Sequence, residues 1–114
     1  MKQIREHLKT LKYLKSLKSK NKKKKFIQSA SNSLLKSISS IALNICKKNI
    51  PLTESEIKKL KRFEKEIKLL AERKHSMTKR KKILGSGGVL NALLSLLPTL
   101  IGSLMSKYKS IYKK

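Results

Sequence analysis

The 114-residue chain is poor in the residues that form disulfides, thiolate metal sites and aromatic clusters. It contains one cysteine, no tryptophan, three tyrosines and two phenylalanines. A single cysteine cannot form a disulfide within the chain, and no second thiol is present to complete a zinc site. Because Cys46 lies among apolar residues, we expect its side chain to be buried as a small hydrophobic group.

Negative charge is also scarce. Six acidic residues stand against 30 lysines and arginines, which gives a formal net charge of +24. Such a charge on a short chain opposes compaction and implies a polyanionic partner, either nucleic acid or an anionic membrane surface. The excess is uneven, since residues 1–50 carry +13, residues 51–75 only +3, and residues 76–114 carry +8.

The sequence contains no recognisable catalytic or cofactor-binding pattern. His7 and His75 have no partners whose spacing suggests a triad or a metal site. The GSGG stretch at residues 85–88 follows a basic segment and lacks the G-K-[ST] ending of a phosphate-binding loop. We therefore expect no enzymatic activity, cofactor, metal ion or small-molecule substrate. No apolar core follows the first lysines, so we expect no secretory signal peptide.

Apolar residues recur at intervals of three and four along most of the first 75 residues. This spacing is typical of amphipathic helices and predicts helices near 2–18, 30–48 and 53–74. No alternating strand pattern competes with it. The predicted fold is all-α, a small bundle of about three amphipathic helices in residues 1–75.

Local signals define the ends of two of these helices. Asn49 and Pro51 should end the second helix, because proline cannot continue the hydrogen-bond ladder. Thr53 and Glu56 match the T-x-x-E capping box at the start of the third helix. The remaining chain is predicted to comprise a basic segment with a glycine hinge at 76–88 and an apolar helix with a basic tail at 89–114.

Two short runs concentrate positive charge. Runs of this kind are typical of nucleic-acid-binding patches, and the alternative is a solvated helix face or loop. The residues predicted to contact nucleic acid are Lys22, Lys23, Lys24, Lys25, Lys79, Arg80, Lys81 and Lys82.

The uncharged stretch from Val89 to Met105 is the most apolar part of the chain. Its 17 residues lie at the lower limit for a membrane-spanning helix, and Pro98 interrupts it. An interfacial or self-associating helix therefore fits better than a lone span, and the alternative is a fourth core helix. The apolar face predicted to meet a membrane or another copy comprises Leu90, Leu93, Leu94, Leu97, Leu100, Ile101 and Leu104.

The order of these features resembles a known viral family. A basic block, then glycines, then "VLNALLSLLPTLIGSL" is similar to adenovirus core protein X, the precursor of the DNA-condensing peptide mu. The longer order, from "IALNICKKNIPLTESEIKKLKRF" to the basic "KRKKIL" and its glycines, resembles the small basic proteins of Polinton (Maverick) elements and adintoviruses.

This resemblance implies a virion core or capsid-associated protein, found in the virion and in the host nucleus or cytoplasm. Its implied partners are nucleic acid, in particular duplex DNA, with capsid proteins, membrane or a second copy bound through residues 89–105. The alternative function is a membrane-active or membrane-anchored basic protein. A cellular ribosomal or nucleolar protein is a third, weaker alternative, because it does not account for the apolar segment.

The resemblance also implies proteolytic processing. Adenovirus-type cysteine proteases favour M/I/L-x-G-x followed by glycine. The matching residues are Ile83, Leu84, Gly85, Ser86 and Gly87, with cleavage expected between Ser86 and Gly87. The alternative is that these glycines simply end a helix and begin a loop.

Overall fold

The computed structural model describes residues 2–72, 74–86 and 88–102. No described residue lies in a strand, so the predicted all-α class is confirmed. Residues 97–102 are also helical and follow the last of the helices named here. These helices are α1 (Lys2–Glu6), α2 (Leu8–Ser16), α3 (Lys20–Gln28), α4 (Asn32–Cys46), α5 (Glu54–Lys61), α6 (Glu64–Ala71), α7 (Met77–Ser86) and α8 (Val89–Leu94).

The predicted first helix, 2–18, is two helices separated at His7. The backbone leaves helical geometry there, with φ −110° and ψ 13°, and His7 Nε2 lies 2.8 Å from Ser33 Oγ in a hydrogen bond. This bond joins the break to the first turn of α4. Because of the break, α1 packs on α4 while α2 packs on α8, and Ile4 and Leu11 are both fully buried.

Helix α3 was not predicted, because four consecutive lysines show no apolar periodicity. Its first turn is capped by Ser19, whose side-chain oxygen accepts a hydrogen bond from the Lys22 N–H at 3.4 Å. Its second half is held by packing: Ile27 is fully buried, and the Phe26 ring centroid lies 5.7 Å from that of Tyr13. Lysine is also a good helix former, so the run does not oppose helix formation by propensity.

Helix α4 ends as predicted, before Asn49 and Pro51, in a Schellman arrangement. The Asn49 N–H donates to the Asn44 carbonyl at 2.9 Å, and the Lys48 N–H donates to the Ile45 carbonyl at 3.1 Å. Lys48 adopts the left-handed conformation that this motif requires, with φ 59°. Two of the carbonyls that a helix end leaves without partners are therefore satisfied.

The expectation that Cys46 is buried is wrong, since its side chain is exposed. Cys46 is the last residue of α4, one turn beyond the buried Ala42. Beside it lies an open groove of about 600 Å³ that also exposes part of Ile57. The apolar residues near Cys46 in the sequence therefore line this groove together with Cys46, and they do not cover the Cys46 side chain.

The predicted third helix, 53–74, is also two helices. Its predicted capping box is confirmed: the Glu56 N–H donates to Thr53 Oγ1 at 3.2 Å, and the Thr53 N–H donates to Glu56 Oε1 at 3.0 Å. The break falls at Phe63, where φ is −118°. The Phe63 ring lies so close to Gly88 that a Cβ on Gly88 would be 3.0 Å from its Cζ. The break at Phe63 is therefore accompanied by a tertiary contact with Gly88. The hydrophobic periodicity of the sequence reveals neither the break nor the contact.

The described part of the apolar segment, residues 89–102, belongs to the core. It supplies a third of the buried hydrophobic side chains identified among the described residues. Helix α8 contacts α2, α4, α5 and α7. The fourth-core-helix alternative therefore describes this segment in the structure. Its buried residues are Val89, Leu90, Leu93, Leu94, Leu96, Leu97 and Leu100.

Glu56 links the capped start of α5 to the apolar segment. The stability that this link contributes should decrease at low pH. Thr99 Oγ1 donates to Glu56 Oε2 at 2.9 Å. The Thr53 N–H is the main cause that lowers the pKa of Glu56 below its ordinary value of 4.5; burial opposes this shift, and the Thr99 hydroxyl contributes to it. The stability contributed by the charged carboxylate is present above pH 4.5 and is lost as the pH falls through the lower folded-state pKa.

We expect Glu56→Gln to lower the free energy of unfolding by about 1 kcal/mol at pH 7, since the helix start loses a negative charge. The loss should shrink at pH 3, because below the ordinary pKa of 4.5 the stability contributed by the charged carboxylate decreases. Urea unfolding followed by circular dichroism at the two pH values measures both quantities. Glu54→Gln, at an exposed position in the same turn, is the matched control. Equal losses for both variants at both pH values would contradict this role of Glu56.

Candidate nucleic-acid interface

The fold brings the two predicted basic runs together. Helix α3, which carries the first run, packs on α7, which carries the second. Two grooves follow their contact, with volumes of about 230 and 550 Å³. Five lysines line these grooves and are called the lysine seam from here on: Lys20, Lys23, Lys24, Lys81 and Lys82.

Lys24 occupies the middle of the seam, because it lines both grooves. Its aliphatic stem lies against Gly85 of α7, where an added Cβ would be 3.5 Å from Lys24 Cγ. The small residue on α7 therefore lets a lysine from α3 lie close to the opposite helix. The two grooves therefore adjoin at Lys24 and Gly85, where α3 and α7 are in contact.

Two seam ammonium groups are positioned by hydrogen bonds. Lys23 Nζ donates to Asn91 Oδ1 at 2.5 Å, and Lys81 Nζ donates to the Gln28 carbonyl at 2.9 Å. These bonds join α3 to α8 and α7 to the end of α3. Each ammonium has three N–H donors, so one such bond leaves donors for a ligand oxygen. Positioning in this way reduces the side-chain entropy that a ligand must remove.

The seam contains no compensating negative charge. Neither α3 nor α7 has an acidic residue, and the sequence has none between Glu6 and Glu54. Among the described residues, no carboxylate lines either groove. Two helices with five and four basic residues therefore pack together at a cost in repulsion. A polyanion bound in the seam would relieve that cost.

The remaining predicted contact residues lie elsewhere. Lys22, Lys25 and Lys79 are exposed on the same two helices but do not line the grooves. Arg80 is only 5% exposed, so the structure separates its side chain from the exposed lysines of the same run. Its Nη2 donates to the Glu72 carbonyl at 3.3 Å. Since Glu72 is the C-cap of α6, the cation lies at the negative end of that helix.

Lys20 is the seam residue that sequence analysis missed. It precedes the lysine run and was therefore not counted with it. In a helix, residues three and four apart share a face, so Lys20 belongs with Lys23 and Lys24. Recognition of Ser19 as an N-cap would have predicted the helix, and with it this face.

The predicted cleavage residues are mostly helical. Ile83 to Ser86 form the last turn of α7, and Leu84 is only 2% exposed. Gly87 lies outside the described residues. A protease that binds an extended segment must therefore unwind the end of α7 before it can cut there. The expected cleavage itself stays a prediction.

Five of the seven residues predicted to meet a membrane or another copy face the core instead. Leu90, Leu93, Leu94, Leu97 and Leu100 are each at most 3% exposed, Ile101 is half-buried, and Leu104 lies outside the described residues. No single helix in 2–72, 74–86 and 88–102 has the length and hydropathy to cross a bilayer. Met77–Gly85 and Val89–Gly102 meet those criteria only when taken together, across a bend of 88°.

The described part of the chain contains no group of three or more His, Cys, Asp or Glu side chains that could hold a metal ion. No protein-family model, curated protein or solved structure matches the chain.

Proposed function

We propose that the chain is a non-enzymatic protein that binds duplex DNA through phosphate contacts, without sequence preference. The observation that carries this proposal is the lysine seam, in which two acid-free basic helices place five lysines along one helix contact. Lysine meets phosphate as a point charge and does not read bases by a fixed geometry. The seam therefore supports affinity for a phosphate backbone and not discrimination between sequences.

Energetics favour the same partner. Each lysine that neutralises a phosphate of B-DNA releases condensed counterions and contributes about −0.9 to the slope of log K against log salt. Five seam contacts alone would contribute a slope of about −4.5. The bound phosphates would also relieve the repulsion between α3 and α7, so binding and folding stability should increase together.

Filter binding over a salt series tests this proposal. We expect two duplexes of unrelated sequence to bind with equal affinity and with the same slope of about −4 or steeper, because the contacts are to phosphate. A flat affinity between low and physiological salt, or a strong preference for one duplex, would count against phosphate-directed binding.

We further propose that this binding takes place in the virion of a Polinton or adintovirus-like element, with the protein also found in the host nucleus or cytoplasm. The support is the resemblance of the segment from Lys79 to Leu104 to adenovirus core protein X. A virion core protein must neutralise a packaged genome, and a net charge of +24 on 114 residues suits that task. Capsid proteins are the second proposed partner.

Processing between Ser86 and Gly87 is the third part of the proposal. Because the site is helical, cleavage should be limited by unwinding of α7. Gly85→Ala should stabilise α7 by up to about 1 kcal/mol and remove the glycine that the protease pattern requires. Its new Cβ fits at 3.5 Å from Lys24 Cγ, so the fold should tolerate it.

Mass spectrometry of purified particles should therefore show an N-terminal fragment ending at Ser86 for the wild type and intact chain for Gly85→Ala. Gly102→Ala is the matched control, because nothing lies within 4 Å of a Cβ there and it is outside the pattern. Intact wild-type chain in particles, or equal processing of Gly85→Ala, would rule out cleavage at this site.

Membrane association is the alternative function, and its structural support within the described residues is the bent pair of helices Met77–Gly85 and Val89–Gly102. It would require Leu90, Leu93 and Leu94 to leave the core, where they are at most 3% exposed. Lipid would then have to cover all of the apolar surface of those side chains that the folded chain now buries. The two functions therefore differ in whether residues 89–102 can be removed without unfolding the rest.

A further inference from the structure

A polar cavity lies where α4, the end of α6 and the start of α7 meet. It has a volume of about 400 Å³, within the range of small-ligand sites, and it lies between α4 and the connection from α6 to α7. Lys36, Ser39 and Ser40 contribute one face of α4, and His75, Met77 and Arg80 contribute the opposite wall. This cavity shares no lining residue with the lysine seam.

The charges around the cavity favour an anion. Lys36 and Arg80 are cations, and His75 becomes one when protonated. Met77 is the first residue of α7, so the positive end of that helix dipole lies at the wall. Among the described residues, no carboxylate lines the cavity. Glu72 accepts a hydrogen bond from His75 at 3.1 Å but is not part of the lining.

A buried hydroxyl supplies independent support for a ligand. Ser39 is only 8% exposed, and its Oγ has no hydrogen-bond partner among the described residues. A buried hydroxyl without a partner is costly, so native structures seldom retain one. Ser40 lines the cavity one residue further along. An oxyanion that accepts from Ser39 Oγ would satisfy this hydroxyl while it neutralises the cations.

We propose that this cavity binds a phosphate group, either as inorganic phosphate or as the phosphate of a nucleoside 5′-monophosphate. Phosphate oxygens accept several hydrogen bonds at once, and they form strong charge-assisted bonds with lysine and arginine. The inference does not rest on the proposed DNA binding, because the cavity and the lysine seam use different residues.

The test uses the full chain and Ser39→Ala, a substitution that leaves the net charge unchanged and favours the helix. Without phosphate, Ser39→Ala should raise the melting temperature, because it removes the hydroxyl that lacks a partner. With inorganic phosphate, the variant should bind about tenfold more weakly or worse, because one bond to a charged ligand is lost. Chloride at equal ionic strength controls for screening.

Two further variants separate the cavity from general attraction to a basic protein. Replacing the five seam lysines with glutamine should leave the phosphate affinity of the cavity unchanged, whereas Lys36→Gln should weaken it more than Lys58→Gln does. Adenosine 5′-monophosphate forms a parallel arm: tighter binding than inorganic phosphate, with the same dependence on Ser39, identifies a nucleotide as the source. Equal affinity of wild type and Ser39→Ala for both probes would overturn the proposal.

Discussion

A chain that ends at Gly88 should not fold. The truncation removes seven buried side chains, from Val89 to Leu100. At about 1.5–3 kcal/mol for each buried aliphatic side chain, the loss is about 10–20 kcal/mol. That exceeds or matches the total stability of about 5–15 kcal/mol expected for a small domain. Circular dichroism should show loss of most helical signal and of a cooperative thermal transition.

A chain that ends at Gly102 is the matched control, because it retains every described core residue. Both truncations remove the same four C-terminal lysines, so the control also tests the effect of losing their charge. We expect this control to unfold cooperatively with near-native helix content. If the chain ending at Gly88 keeps its cooperative transition, residues 89–102 are separable, and the membrane alternative regains its basis.

Replacement of the five seam lysines with glutamine should have the largest effect on DNA binding. Each lost phosphate contact should reduce the magnitude of the salt slope by about 0.9, a total of about 4–5. Affinity at low salt should fall by at least about tenfold. The fold should persist, because the repulsion between α3 and α7 is reduced by the same change. Filter binding measures the slope and the affinity, and circular dichroism checks the fold.

Five exposed lysines on α5 and α6 give a control with the same net charge. They lie on the helices that carry most of the acidic residues, where the local charge is nearly balanced. Their replacement should change the slope by less than half as much as the seam replacement does. The two variants would behave alike if total charge, and not the seam, determined binding. The control positions are Lys58, Lys59, Lys61, Lys65 and Lys68.

Sequence analysis predicted the all-α class and the local signals that lie within one element. The capping box of Thr53 and Glu56 is an example, because it depends only on residues three apart. The stop at Asn49 and Pro51 is another. Both signals involve residues only a few positions apart in the chain. The sequence therefore predicts them without knowledge of the tertiary packing.

The features that sequence analysis missed depend on contacts between distant residues. The break at His7 accompanies a bond to Ser33, and the break at Phe63 accompanies a close contact with Gly88. In each of the two predicted helices, the hydrophobic stripe continues across the break, so the sequence pattern does not reveal the break. Sequence analysis grouped Arg80 with the neighbouring lysines of its run, because its burial depends on a contact with the end of α6, eight residues earlier.

The candidate site has features that the sequence predicted and features that depend on tertiary packing. The two basic runs were evident as charge, and the structure adds that α3 and α7 pack against each other. The residues that line the grooves follow from that packing, which selects Lys81 and Lys82 and leaves Lys79 outside. Sequence therefore predicted which chemistry was present, whereas the arrangement of that chemistry required the fold.

Lysine acetylation of the unaltered protein, with and without duplex DNA, tests the central claim most directly. Mass spectrometry would report the modification rate of each lysine in the folded chain. The account predicts that DNA slows acetylation most at Lys20, Lys24 and Lys82 of the seam, and least at Lys58 and Lys65 on α5 and α6. Equal protection at all of these lysines, or stronger protection on α5 and α6, would contradict the assignment of the lysine seam as the DNA-binding site.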